Sequence, residues 1–212
     1  MNIFSKQFLM NAKTSILPSE YRQAEYLEGT GTQWIDTDIH TDQDTGFYLD
    51  ASLSEVIYPT ATQSANMLCG QFNANYNVGY VNSDTNKYII FGHPKGENNK
   101  FYVTADTERH TYQDNYLNNR KYIYDDMELD ISPVTFTNGF GFCIFRTTNR
   151  QDGRYWTPPI KAKIYRLKMS QGDTITHDFY PAVRKSDGEA GLYDITTDIF
   201  YTNSGSGEFI TG

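Results

Sequence analysis

Turn-forming residues recur along this chain at intervals too short for long helices, and the runs between them are apolar and aromatic. The last third shows the pattern best. Ile164-Tyr-Arg-Leu-Lys-Met, Asp178-Phe-Tyr-Pro-Ala, Arg184-Lys-Ser-Asp-Gly-Glu-Ala-Gly-Leu-Tyr-Asp and Phe200-Tyr-Thr-Asn-Ser-Gly-Ser-Gly alternate short apolar stretches with Gly, Asn, Asp, Ser and Pro. Aromatic and β-branched runs bounded by such residues read as strands joined by turns. From Tyr21 on, the same reading places strands at Gln33-Trp-Ile-Asp-Thr, Gly46-Phe-Tyr-Leu-Asp-Ala-Ser-Leu, Asn66-Met-Leu-Cys-Gly-Gln-Phe, Asn77-Val-Gly-Tyr-Val, Tyr88-Ile-Ile-Phe-Gly and Lys100-Phe-Tyr-Val-Thr-Ala. It continues through Arg120-Lys-Tyr-Ile-Tyr, Val134-Thr-Phe, Phe140-Gly-Phe-Cys-Ile-Phe, the run from Ala162 to Met169, and Thr174-Ile-Thr-His-Asp-Phe-Tyr-Pro.

Between Ala162 and Met169, Ala162, Ile164, Leu167 and Met169 separate from Lys161, Lys163, Arg166 and Lys168, so one face of that strand is wet. The fold class is therefore all-β, a two-sheet antiparallel sandwich. A length of 212 residues suits one such domain, and 17 Tyr and 13 Phe supply core volume from a few large side chains. Residues 18–212 form the expected domain. Residues 1–17 differ: Ile3, Phe4, Phe8 and Leu9 have weak helical spacing, and the segment reads either as a frayed terminus or as an arm docking those four on a partner.

A formal charge of −8 disfavours wrapping a phosphate backbone, so nucleic acid is not an expected partner. No run is long enough to span a membrane, and the start lacks a signal-peptide core, so membrane insertion and signal-dependent export are not expected. Cys69 and Cys143 sit in apolar runs and read as buried thiols, with a single bridge as the alternative. His40, His93, His110 and His177 lack zinc-site spacing. His177 and Asp178 are adjacent in a strand, so they point to opposite faces and do not make a dyad. The segment from Asp36 to Asp44 is rich in carboxylates but lacks a defined calcium loop; it reads as an acidic solvated turn, and no metal or other cofactor is assigned.

Two stretches combine aromatics with Asn, Asp and Arg, the composition that suits a glycan or protein contact. One is the long turn after Arg146, with Asn149, Arg150, Asp152, Arg154, Tyr155 and Trp156; the alternative there folds Trp156 inward as a cap on the core. The other is Asn73-Ala-Asn-Tyr-Asn77, contributing Asn73, Asn75 and Tyr76.

The segment Glu20-Tyr-Arg-Gln-Ala-Glu-Tyr-Leu-Glu-Gly-Thr-Gly-Thr-Gln-Trp-Ile-Asp-Thr and the closing third resemble concanavalin A-like lectin/glucanase domains, in particular the laminin-G-like jelly rolls of gut-bacterial and tailed-phage proteins. The resemblance covers about residues 18–212 and implies a jelly-roll sandwich with its first and last strands adjacent. Glucanases of this fold carry Glu-x-Asp-x-x-Glu on one strand; the nearest match, Glu128-Leu-Asp130, has Pro133 where the second Glu belongs, which argues against hydrolysis. The resemblance implies a non-enzymatic phage virion protein, a fibre or capsid-decoration component, whose arm docks on other virion proteins and whose sandwich has a host-surface glycan as candidate ligand. It also implies a homo-oligomer, with a trimer favoured. The alternative setting is a carbohydrate-binding or adhesion module of a bacterial cell surface.

Overall fold

The computed structural model describes residues 15–56, 66–71, 76–82, 87–91, 100–131, 141–147, 157 and 159–212. Two antiparallel sheets pack face to face, and no α-helix occurs among the described residues. The larger sheet has eleven strands. At its middle β4 (Thr45–Leu53) pairs with β13 (Lys161–Gln171). Beyond β4 come β9 (Arg109–Asp114), β10 (Lys121–Tyr124) and the edge strand β11 (Met127–Asp130). Beyond β13 come β14 (Thr174–Arg184), β15 (Ala190–Asp194) and β16 (Ile199–Tyr201).

The β13–β14 hairpin stays closed only near its turn, where Leu167–Gln171 meets the strand from Thr174 to Phe179. Further along it splays. There β2 (Leu27–Thr30) pairs with the Lys161–Ile164 end of β13, and β1 (Tyr21–Gln23) pairs with the far end of β14. The other edge of β2 takes β17 (Ile210–Thr211), so the two ends of the domain lie side by side in one sheet. The smaller sheet runs β3 (Ile35–Asp36), β12 (Cys143–Ile144), β5 (Asn66–Gln71), β6 (Tyr76–Asn82), β7 (Lys87–Phe91), β8 (Lys100–Phe101).

Side chains alternate across each strand, and the inward set fills one core. Phe47, Leu49, Ala51, Leu167, Met169 and Phe179 from the large sheet meet Ile35, Leu68, Val78, Phe91 and Ile144 from the small one. Phe91 bridges the two sheets: its ring lies 5.4 Å from that of Tyr122 and 6.4 Å from that of Tyr112, across the sheet interface. Cys69 and Cys143 are free and buried on neighbouring strands, and burial pushes both thiols well above their usual range.

The two segments that carry the resemblance are hydrogen-bonded into one structure. Asn203 Oδ1 accepts the Trp34 N–H, Ser204 N–H donates to the Trp34 carbonyl, and Ser206 N–H donates to the Thr32 carbonyl. Gly205 passes so close to the Trp34 ring that a Cβ there would overlap it. These motifs therefore do architectural work, closing the end of the chain onto its beginning.

Leu17 is buried against Tyr180, Ala182 and Tyr193 on the outer face of the large sheet, and the Tyr21 ring lies 4.6 Å from that of Tyr193. The chain thus joins the sandwich from the outer side of this sheet.

Candidate functional site

A β-bulge decides which side chains reach the outer face of the large sheet. Pairing of β13 with β4 shifts between Ile164 and Arg166, so Tyr165 is the extra residue. Ile164 and Leu167 can then both face the core, three positions apart, while Tyr165 and Arg166 both face out. Bulges commonly re-aim a side chain in this way beside binding and catalytic sites.

Around the bulge the sheet register assembles an ordered polar face. One row runs Gln113, Tyr48, Lys168, Asp178 across β9, β4, β13 and β14; the next runs Thr111, Asp50, Arg166. Two arginines bind carboxylates diagonally across these rows. Arg109 donates from Nε and Nη2 to both oxygens of Asp50, at 2.7 and 2.6 Å. Arg166 does the same to Asp178, at 2.7 Å for each bond. Each guanidinium also stacks on a tyrosine: Arg109 Cζ lies 3.9 Å from the centre of the Tyr165 ring and Arg166 Cζ 3.3 Å from that of Tyr180. Lys163 Nζ sits 4.3 Å over Tyr26, whose ring meets Tyr165 edge-on at 5.8 Å. Planar, bidentate and stacked arginines are held in one orientation, which lysines in the same places could not match.

Between these groups lies an open depression of about 430 Å³, lined among others by Tyr48, Asp50, Arg109, Tyr165, Lys168 and Tyr180. Burial raises the pKa of the Tyr48 phenol; the nearby Asp50 charge raises it further, and Arg109 and Arg166 act in the opposite sense. Tyr48 is therefore a neutral hydroxyl, able to donate and to accept. The hydrogen bonds from Arg109 to Asp50 raise the pKa of that guanidinium.

Other polar clusters have structural partners. His177 and Asp178 point to opposite faces, as their adjacency requires: Asp178 holds Arg166, while His177 Nδ1 lies 2.7 Å from Asp194 and its ring stacks on Phe179. Asp194 is fully buried and also accepts the N–H groups of Asp178 and Thr196 and the Thr197 hydroxyl, which pins the β15–β16 turn. Burial alone would raise its pKa, but these hydrogen bonds, His177 foremost, bring it below the usual range. His110 lies between Asp125, 2.7 Å from Nδ1, and Asp106, 2.9 Å from Nε2.

In the acidic segment from Asp36 to Asp44, Asp42 accepts from Asp44 N–H, the Thr45 hydroxyl and Gln171, as a turn-capping carboxylate does. Among the described residues no group of three His, Cys, Asp or Glu converges in a way that could hold a metal. Glu128 and Asp130 lie on the edge strand β11, with Glu128 paired to Lys121.

Of the residues expected from the sequence to contact a ligand, Asn149, Arg150, Asp152, Arg154, Tyr155, Trp156, Asn73 and Asn75 lie outside the described residues, as do the arm residues Ile3, Phe4, Phe8 and Leu9. Tyr76 opens β6, and only its backbone is described. The face around Tyr165 was not among them. Its signal in the sequence was present but slight: an aromatic set between Lys163, Arg166 and Lys168 on the wet side of an alternating strand.

Compared with known proteins, the chain matches no family model, no curated protein and no solved structure.

Proposed function

We propose that this protein is a non-enzymatic adhesion module that presents the outer face of its large sheet to a saccharide. The observation that carries the reading is the Tyr48–Arg109–Tyr165–Tyr180 depression, where ring walls and oriented polar groups meet in about 430 Å³. A saccharide offers apolar C–H faces and a dense set of hydroxyls. It is bound well by aromatic walls with hydrogen-bonding groups already fixed, because little side-chain freedom is lost on binding. The guanidinium groups of Arg109 and Arg166 are fixed in this sense by Asp50, Asp178 and the tyrosines beneath them. Support for binding rather than hydrolysis comes from the same pairs. Asp50 and Asp178, the central carboxylates of the face, are each engaged through both oxygens by an arginine, which disfavours proton transfer.

The setting we propose follows the resemblance of the 20–37 segment and the closing third: a phage virion, with the module as a fibre or decoration component, the segment before Leu17 as the docking arm, and a trimer as the assembly. The test is a glycan array probed with the full chain, followed by Tyr165→Ala. Loss of one aromatic wall is worth about 0.5–1.5 kcal/mol, or roughly two- to tenfold in affinity. Absence of binding to any saccharide, or unchanged affinity in a Tyr165→Ala variant with a native melting profile, overturns the assignment.

A further inference from the structure

The depression holds a cation that the rest of the face does not satisfy. Lys168 lies directly opposite Asp178 in the β13–β14 register and directly opposite Tyr48 in the β13–β4 register. Its natural partner is Asp178, but both oxygens of that carboxylate are taken by Arg166. Lys168 makes no ion pair or hydrogen bond among the described residues, although it is half-buried and lines the depression. Beside it, Arg166 and Arg109 each commit Nε and Nη2 to a carboxylate and one face of the guanidinium plane to a tyrosine ring, so their Nη1 groups remain available as donors. Lys163 faces Glu28 across the β13–β2 register without pairing to it, and its ammonium is placed instead over the Tyr26 ring, outside the lining of the depression. The carboxylate without a cation at this site is Glu25, which is exposed on the rim, where water and salt screen it. In a chain of net charge −8, a half-buried ammonium left over beside two oriented guanidinium groups is a site for an anion.

We infer that the saccharide bound here is acidic, with its carboxylate seated at Lys168 between the Arg166 guanidinium and the Tyr48 hydroxyl. The inference rests on the saccharide-binding reading and narrows it to one chemical class. A phosphate or sulfate would meet the same charge, but the depression, at about 430 Å³, has volume for a sugar ring beside the anion, which favours a carboxylated sugar over a bare ion.

The experiment uses the full chain on an array of uronate- and sialate-bearing oligosaccharides, each printed beside its carboxyl-reduced counterpart, with Lys168→Gln as the variant. One charge-assisted hydrogen bond in a half-buried setting corresponds to about a tenfold preference for the acidic member of a pair. That preference is expected to shrink as salt is raised and to vanish in Lys168→Gln. Equal binding to both members overturns the acidic assignment and leaves the saccharide reading standing. Failure to bind either member overturns both. A Lys168→Gln variant that keeps the full preference removes Lys168 from the site and overturns the inference.

Discussion

Replacing His110 by Gln should remove a pH-dependent contribution to stability that the structure allows to be worked out in advance. Both ring nitrogens of His110 face carboxylates, Asp125 at 2.7 Å and Asp106 at 2.9 Å, and a carboxylate can only accept. Both nitrogens must then carry protons, which makes the bound form imidazolium. Burial alone would lower the His110 pKa, but the hydrogen bonds and charges of Asp106 and Asp125 outweigh it, and the net shift is upward. For a histidine whose folded pKa lies above its unfolded value, the stabilisation is fully present below about pH 6.5 and is lost as pH rises through the folded pKa. The Asp106 carboxylate sets the acid limit. Burial would raise its pKa, but the bond from His110 and the Glu108 N–H hold it below the usual range, so its contribution fades as pH falls through that lowered value. The side chains of Asp106 and Asp125 are 52% and 39% exposed, so the two bonds are discounted for solvent screening to about 0.5 and 1 kcal/mol. Their sum, about 1.5 kcal/mol, corresponds to about 3–6 °C in Tm for a domain of this size. Thermal melts of the parent and His110→Gln proteins between about pH 5.5 and pH 9 provide the assay. The gap between the two Tm curves should be widest near pH 6 and close towards pH 9, other titrating groups cancelling in the difference. Parallel curves would refute the imidazolium assignment.

Three further outcomes are expected. Asp114 is buried on the core side of β9, and burial pushes its carboxyl well above the usual range, so the folded state holds a proton that the unfolded state releases. Stability therefore falls as pH rises past the ordinary carboxylate range, and Asp114→Asn should flatten that slope in urea titrations, gaining more at pH 8 than at pH 4 relative to the parent. Leu167 is fully buried at the centre of β13, and Leu167→Ala should cost about 2–5 kcal/mol by denaturant titration; a loss under 1 kcal/mol would mean that the core collapses around the cavity. The Cys69 and Cys143 thiols, buried and held protonated, should resist a thiol reagent in the native protein and react together on unfolding; rapid native labelling of either would contradict its burial.

The sandwich was legible because period-two alternation is a local property, plainest in β13 and β4. Strand β9 was harder to read. Its sequence Arg109-His-Thr-Tyr-Gln-Asp is polar almost throughout, and one of its inward positions is Asp114, a buried carboxyl that no hydropathy pattern marks as core. That strand supplies Arg109, so the site was hidden with it. The bulge at Tyr165 was visible only as a three-residue step between Ile164 and Leu167, which by itself does not say which neighbour sits across from it.

Composition and alternation, read in order, determined the class of fold, the burial of both cysteines, the wet face of the run from Ala162 to Met169, and the separation of His177 from Asp178. Pairing decided the rest. Tyr48, Asp50, Arg109, Arg166, Lys168 and Tyr180 come from four strands far apart in sequence and become one surface only through the registers of β9, β4, β13 and β14. The physical reason is the range of the forces involved. The direction in which a side chain points is fixed by its own backbone, whereas the company it keeps is fixed by hydrogen bonds between distant segments and by a shared core, which no short window of sequence contains.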